Sequence, residues 1–181
     1  MDSVSDNQLM MKVKSGQLDK LGLLYERYNK ILFGFFYRFS GNAENSEDLV
    51  QNVFYRILKY RDKFRNEGKF STWMFHIAHN VNADFYKKNK RLEFSDDLSN
   101  WNIQKGLNVD EQIEKEEQHR LIKSAINQLG YDQREVLILS RYHELKYKEI
   151  AEILHCSEGA VKVRVFRAIN ELKQIYSKLE K

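Results

Sequence analysis

Apolar residues along this chain recur every three or four positions, which is the spacing of helices; the alternation expected of strands is absent. Leu9, Met10 and Val13 mark a short first helix ending near Gly16. Leu21, Leu24, Tyr25, Tyr28, Leu32 and Phe35 predict a second, from about Asp19 to Phe39. Ser40–Ser46, SGNAENS, is a turn by composition. Asn45 or Ser46 is placed to cap a third helix, EDLVQNVFYRILKY, with Glu47 and Asp48 at its positive end. Its apolar stripe is Leu49, Val50, Val53, Phe54, Ile57 and Leu58. RNEGKFS interrupts, and Ser71 or Thr72 opens a fourth helix, WMFHIAHNVNADFYKKNKR.

The pattern lapses from Leu92 to Val109. Between Leu92 and Gln118 eight acids (Glu93, Asp96, Asp97, Asp110, Glu111, Glu114, Glu116, Glu117) face two bases, Lys105 and Lys115. Periodicity returns with Leu121, Ile122, Ala125, Ile126 and Leu129, and stops at Gly130. DQREVLILSRYHE is the next helix. The fold class is therefore all-α: two small helical modules, 1–91 and 115–181, joined by an acidic flexible linker over 92–114.

The closing stretch, YKEIAEILHCSEGAVKVRVFRAINELKQI, predicts two more helices around a short polar turn, HCS. Tyr147, Ile150, Ala151 and Leu154 give the first its apolar face. Ser157 is a good N-cap for the second. At about 100° per residue, Val161, Val165, Ala168, Ile169 and Leu172 gather in one arc and form the core side. Val163, Phe166, Arg167 and Asn170 lie opposite, with Lys162 and Arg164 at the flank. A helix-turn-helix that displays its second helix suits a DNA major groove. There, thymine methyls take apolar contacts and phosphates take cations. Gly159 lets a backbone or phosphate approach closely. The other reading of this face is helix packing by Phe166 and a solvated cationic surface.

Composition narrows the field. The chain has 181 residues, 42% hydrophobic and 31% charged, with a formal net charge of +4. That is globular, with a basic excess compatible with nucleic acid. The one cysteine, Cys156, makes no internal disulfide and reads as a small turn residue facing the core. The most apolar run, Ile31–Phe39, is too short for a membrane span and carries Arg38. With no secretory h-region either, a cytoplasmic location is expected.

In the fourth helix, Trp73, Met74, Ile77, Val81 and Phe85 share a face. Thr72, His76, His79, Asn80, Ala83, Tyr86, Lys87 and Lys90 share the other, which ends in the basic cluster Lys87, Lys88, Lys90 and Arg91. Aromatic, amide and cationic groups together suit an unpaired base. By itself the pattern fits a solvated surface equally well. No cysteine or carboxylate completes a metal set around His76 and His79. No phosphate loop or catalytic triad is evident. Neither an enzyme nor a cofactor is expected.

The segment INQLGYDQREVLILSRYHELKYKEIAEILHCSEGAVKVRVFRAINEL strongly resembles the C-terminal region of bacterial sigma factors of the extracytoplasmic-function group. Gly130 departs from that pattern, which usually has a proline there. SEDLVQNVFYRILKYRDKF and FSTWMFHIAHNVNADFYKKNKR resemble the same family's region 2. The resemblance covers about 10–91 and 115–175. It implies a protein that binds core RNA polymerase, at the β′ clamp and β flap, and directs it to promoters. Carried over by position, Lys162, Val163, Phe166 and Arg167 would read the −35 duplex, with Ser157, Gly159 and Arg164 beside them. Asn80 would sit at a flipped −10 base, with His76, His79, Ala83 and Lys87 on its face and 63–69 as the pocket loop. His76 and His79 stand where arginine is common. Asp48, Gln51, Phe54 and Arg56 would bind the β′ clamp, together with Asn52 at a position often acidic. The linker would thread polymerase channels. An anti-sigma protein is implied as a partner, the chain being a monomer when free or 1:1 with it. The rival readings are a stand-alone helix-turn-helix regulator and an adaptor with incidental basic faces.

Overall fold

The computed structural model describes residues 4–89 and 109–180. Most of the segment read as linker, and the cations Lys90 and Arg91, lie outside them. Among the described residues the elements are helical. One compact unit contains α1 (Asp6–Lys14), α2 (Lys20–Ser40), α3 (Ala43–Lys59) and α4 (Phe70–Asn89). The other contains, apart from residues 152–155, α5 (Val109–Gln128), α6 (Tyr131–Leu137), α7 (Tyr147–Ile153) and α8 (Glu158–Leu179). Helix α5 thus takes in 109–114, which composition alone had assigned to the linker: acidic residues form helix as readily as they form a tether.

The first unit is built around aromatic residues of α2. Phe35 is fully buried and meets Phe36, Phe39 and Phe75 edge-on, with ring centroids 5.2–5.8 Å apart. Edge-to-face rings at this spacing add to the free energy of burial alone. Leu9, Met10 and Val13 of α1, Val53 and Ile57 of α3, and Met74 and Ala78 of α4 complete the core. Tyr25 belongs to the predicted stripe, yet it stays 42% exposed, with an edge contact to Phe54.

The helix starts differ from the expected ones, for identifiable reasons. Gly41 ends α2 at φ 65°, a conformation that glycine adopts freely. Asn42 is extended and its side chain accepts from Asn45 N at 2.8 Å, so the cap of α3 is Asn42 and neither Asn45 nor Ser46. Ser46 is buried, and its hydroxyl donates to the Asn42 carbonyl at 2.6 Å. Helix α4 begins at Phe70, before Ser71 or Thr72, and its first N–H is satisfied by a residue far away in sequence. Phe70 N donates to Asn7 Oδ1 of α1 at 2.8 Å.

In the second unit, Val161, Val165 and Ala168 of α8 are buried, as are Ala125 of α5, Leu129 just after it, and Val136 and Leu137 of α6. The predicted single helix DQREVLILSRYHE is divided: α6 passes into a π-helical turn, Ile138–Tyr142, and Glu144 then turns left-handed at φ 51°. Arg134, 6% exposed, donates to the Asn127 and Leu129 carbonyls at the end of α5 and holds the two helices end to end. Gly130 keeps an N–H that a proline would lack, and donates it to Gln133 Oε1 at 3.3 Å.

Asp6 ties α1 to α2. Its carboxylate accepts from Tyr28 Oη and from Arg27 Nη1, both at 2.5 Å. Burial and the Asp6 carboxylate push the Tyr28 hydroxyl above the ordinary phenol range, so it holds its proton more firmly than an exposed phenol does. Tyr28→Phe is expected to lower unfolding free energy by about 1 kcal/mol, and Asp6→Ala by about 2, in urea denaturation.

Candidate nucleic-acid interface

The turn between α7 and α8 is defined by hydrogen bonds at both ends. His155 stands left-handed at φ 50°, and Cys156 N donates to the Ala151 carbonyl at 3.0 Å. That six-to-one bond closes α7 as a Schellman motif. Cys156 is half-buried. Ser157 then caps α8 as expected, accepting from Ala160 N at 3.1 Å. Its hydroxyl is therefore engaged in starting α8. A Cβ on Gly159 would meet only Ser157 Oγ, at 3.9 Å. The fold itself does not require glycine at that position, which lies on open surface.

The two faces of α8 divide as the periodicity predicts. Val161, Val165 and Ala168 are buried, and Ile169 and Leu172 partly so. Val163 is 48% and Phe166 66% exposed. Lys162, Arg164, Arg167 and Asn170 are exposed beside them. Burying a phenylalanine fully is worth about 1.5–3 kcal/mol, so this face has apolar free energy to gain from a partner. Lys162 pairs with Glu158 one turn earlier at 3.2 Å. Such exposed pairs contribute little and are readily exchanged for a phosphate.

In the first unit, α4 presents His76, His79, Asn80 and Ala83, all half-exposed, and exposed Tyr86 and Lys87. Asn80 Nδ2 lies 3.3 Å from His76 Nε2. Burial holds the His76 imidazole below its ordinary pKa, which favours the neutral form. Thr72 departs from the expected polar face: at 8% exposure it points into the core. Before α4 comes a basic loop. A 3-10 turn, Arg61–Lys63, leads into 65–69, all exposed, between buried Phe64 and Phe70. Lys63 Nζ lies 4.9 Å from the centre of the Tyr60 ring.

Helix α3 presents Asp48, Gln51, Asn52 and Tyr55 outward at i, i+3, i+4 and i+7. Phe54 does not join them. It is 7% exposed and packs under Tyr25, so it supports the helix from within. Tyr55, 63% exposed, is the aromatic on the outer face. The sequence reading missed it because Phe54 fits the apolar stripe and Tyr55 falls off it. Arg56 also has an internal role: Nε donates to Asn52 Oδ1 and Nη2 to Asp84 Oδ2, each at 2.9 Å, bridging α3 to α4.

A helix-turn-helix whose second helix is exposed, cationic and aromatic, in a chain that also carries a separate helical unit with a basic loop, fits a DNA-binding regulator. The sigma-70 region 2 family matches residues 24–92, and the sigma-70 region 4 family matches residues 119–172. The chain is 28% identical to RNA polymerase sigma factor YlaC of Bacillus subtilis, over 88% of this chain and 94% of that one. It is 30% identical to ECF RNA polymerase sigma factor SigX of the same organism, over 84% and 81%. Among solved structures it resembles the sigma factor RpoE from Bartonella quintana, in complex with the anti-sigma factor NepR. The TM-score is 0.68 at 25% identity, over 86% of this chain and 96% of that one. The chain belongs to the sigma-70 family, in its ECF group, and acts as a sigma factor in promoter-directed transcription.

The division of α8 into two faces predicts opposite outcomes for neighbouring substitutions. Val165→Ala is expected to cost about 2 kcal/mol of stability. Phe166→Ala is expected to shift stability by less than about 0.5 kcal/mol while weakening promoter binding. Thermal melts and promoter-binding assays of the two variants separate these effects.

Proposed function

We propose that the two units divide the work of promoter recognition. The exposed face of α8 reads the −35 duplex through Lys162, Val163, Arg164, Phe166 and Arg167, with Ser157 and Gly159 at the helix start. The face of α4 around Asn80, with His76, His79, Ala83, Lys87 and the 63–69 loop, captures an unpaired −10 base. Asp48, Gln51, Asn52 and Tyr55 on α3 face the polymerase clamp; Phe54 and Arg56 hold that helix in shape. The observation that carries this reading is the pairing of exposed Phe166 and Val163 with cations on α8, next to a closed apolar face. Phosphate contacts position such a helix and base contacts give its specificity.

On this reading the chain does no covalent chemistry and needs no cofactor. It works by binding energy, in the bacterial cytoplasm where polymerase is found, with one module before the linker and the other beginning with α5. An anti-sigma protein is a fitting partner, since that is what the Bartonella quintana relative is bound to. Such a partner would cover the exposed faces of α3 and α8, one copy per chain, and the free protein would be a monomer.

Run-off transcription with core RNA polymerase on genomic DNA tests the reading, because start sites that require the protein give both promoter elements. Lys162→Ala and Arg167→Ala are each expected to weaken transcription from those sites about tenfold, with affinity for polymerase unchanged. The salt slope of promoter binding should fall by about one for each lost phosphate contact. An equal loss of polymerase binding would overturn the division of labour. Tight binding to duplex DNA without polymerase would point to a stand-alone regulator.

A further inference from the structure

We infer that Asn7, in the first helix, is a positioning residue for −10 base recognition and acts by fixing the shape of the 64–69 loop. This rests on the proposed reading of that loop as the −10 pocket.

Burial anchors the loop at its ends. Phe64 and Phe70 are 3% and 1% exposed, while every residue from 65 to 69 is exposed. Packing therefore fixes where the loop starts and stops and leaves its path open. Asn7 sets that path through three hydrogen bonds. Its Nδ2 donates to Asn66 Oδ1 at 2.8 Å and to the Gly68 carbonyl at 2.6 Å. Its Oδ1 accepts from Phe70 N at 2.8 Å. One amide thus holds two loop residues and the first N–H of α4. Lys14, at the other end of α1, donates to the Phe64 carbonyl at 2.7 Å. Helix α1 grips the loop at both ends.

Two further observations support the role. Asn66 stands at φ 57°, a left-handed conformation that asparagine adopts more readily than most residues with a side chain. Its side chain, turned by that conformation, accepts from Asn7. Hollows of about 520 and 340 Å³ flank Asn7, one reaching Met11 and Asn66, the other Gly68 and Ser71. Asn7 lines both hollows, where its amide reaches the loop backbone and the Asn66 side chain. Asparagine is suited to this place because it both donates and accepts. Aspartate would still accept from Phe70 N, but it would set a carboxylate against Asn66 Oδ1 and the Gly68 carbonyl.

The test uses the full chain with core RNA polymerase, on a promoter mapped by run-off transcription and on versions carrying each single substitution in the −10 element. The variants are Asn7→Ala, Asn7→Asp, and the loop double substitution Glu67→Ala with Lys69→Ala. Both Asn7 variants are expected to lower discrimination between the cognate and substituted −10 base about tenfold, with polymerase affinity unchanged. Amide exchange at 65–69 should rise in both. At Phe70 it should rise in Asn7→Ala only, because aspartate keeps that bond. A purely structural role for Asn7 would lower stability and transcription on all promoters in proportion and leave discrimination intact, which would overturn the inference. Wild-type discrimination in the Asn7 variants, with altered discrimination in the loop variant, would overturn it and leave the pocket reading standing. Unchanged discrimination in all three would remove the pocket reading and the inference together.

Discussion

An α-helix leaves N–H groups unpaired at its start and carbonyls unpaired at its end, and each must find a partner. This requirement shapes the loops of a chain with 181 residues and no proline. Ser157 satisfies the start of α8, where that helix leaves its turn. Asn42 does the same for α3. Arg134 closes α5 from the next helix, and Asn7 opens α4 from a distance of 63 residues. The surfaces assigned to DNA and polymerase lie on the helices these bonds start.

The local caps are worth about 1 kcal/mol each, and similar bonds recur in most helical proteins. Their consequence here is geometric. Once the N-terminus of α8 is fixed, burial of Val161, Val165 and Ala168 decides its rotation, and Phe166 must point outward. The same logic places Asn80: burial of Ile77, Ala78 and Val81 turns α4 so that its amide and imidazole face stays half-exposed. Apolar burial on one face therefore determines what the other face offers.

Arg56 and Phe54 show how a motif residue takes on a different part once the chain is folded. Both stand in the stretch that resembles the polymerase-binding helix. Phe54 lies within the core and Arg56 spans from Asn52 to Asp84. They stabilise the face that Asp48, Gln51 and Tyr55 present. The resemblance pointed to this helix; which of its side chains reach outward depended on rotation about the helix axis.

Much of the protein was legible in its sequence. Helical periodicity located the elements, and the two faces of α8 followed from geometry at about 100° per residue. The Ser157 cap and the HCS turn were readable because their partners are within four or five residues. Tertiary structure decided what depends on distant partners: the start of α4, set by Asn7; the division of the DQREVLILSRYHE helix at a π turn; the inward turn of Thr72 and Phe54; and the outward turn of Tyr55. The physical reason is common to all of these. Sequence spacing records which neighbours share a face, but contacts across many residues are chosen only when helices pack, and packing depends on volumes and hydrogen bonds that no local pattern encodes.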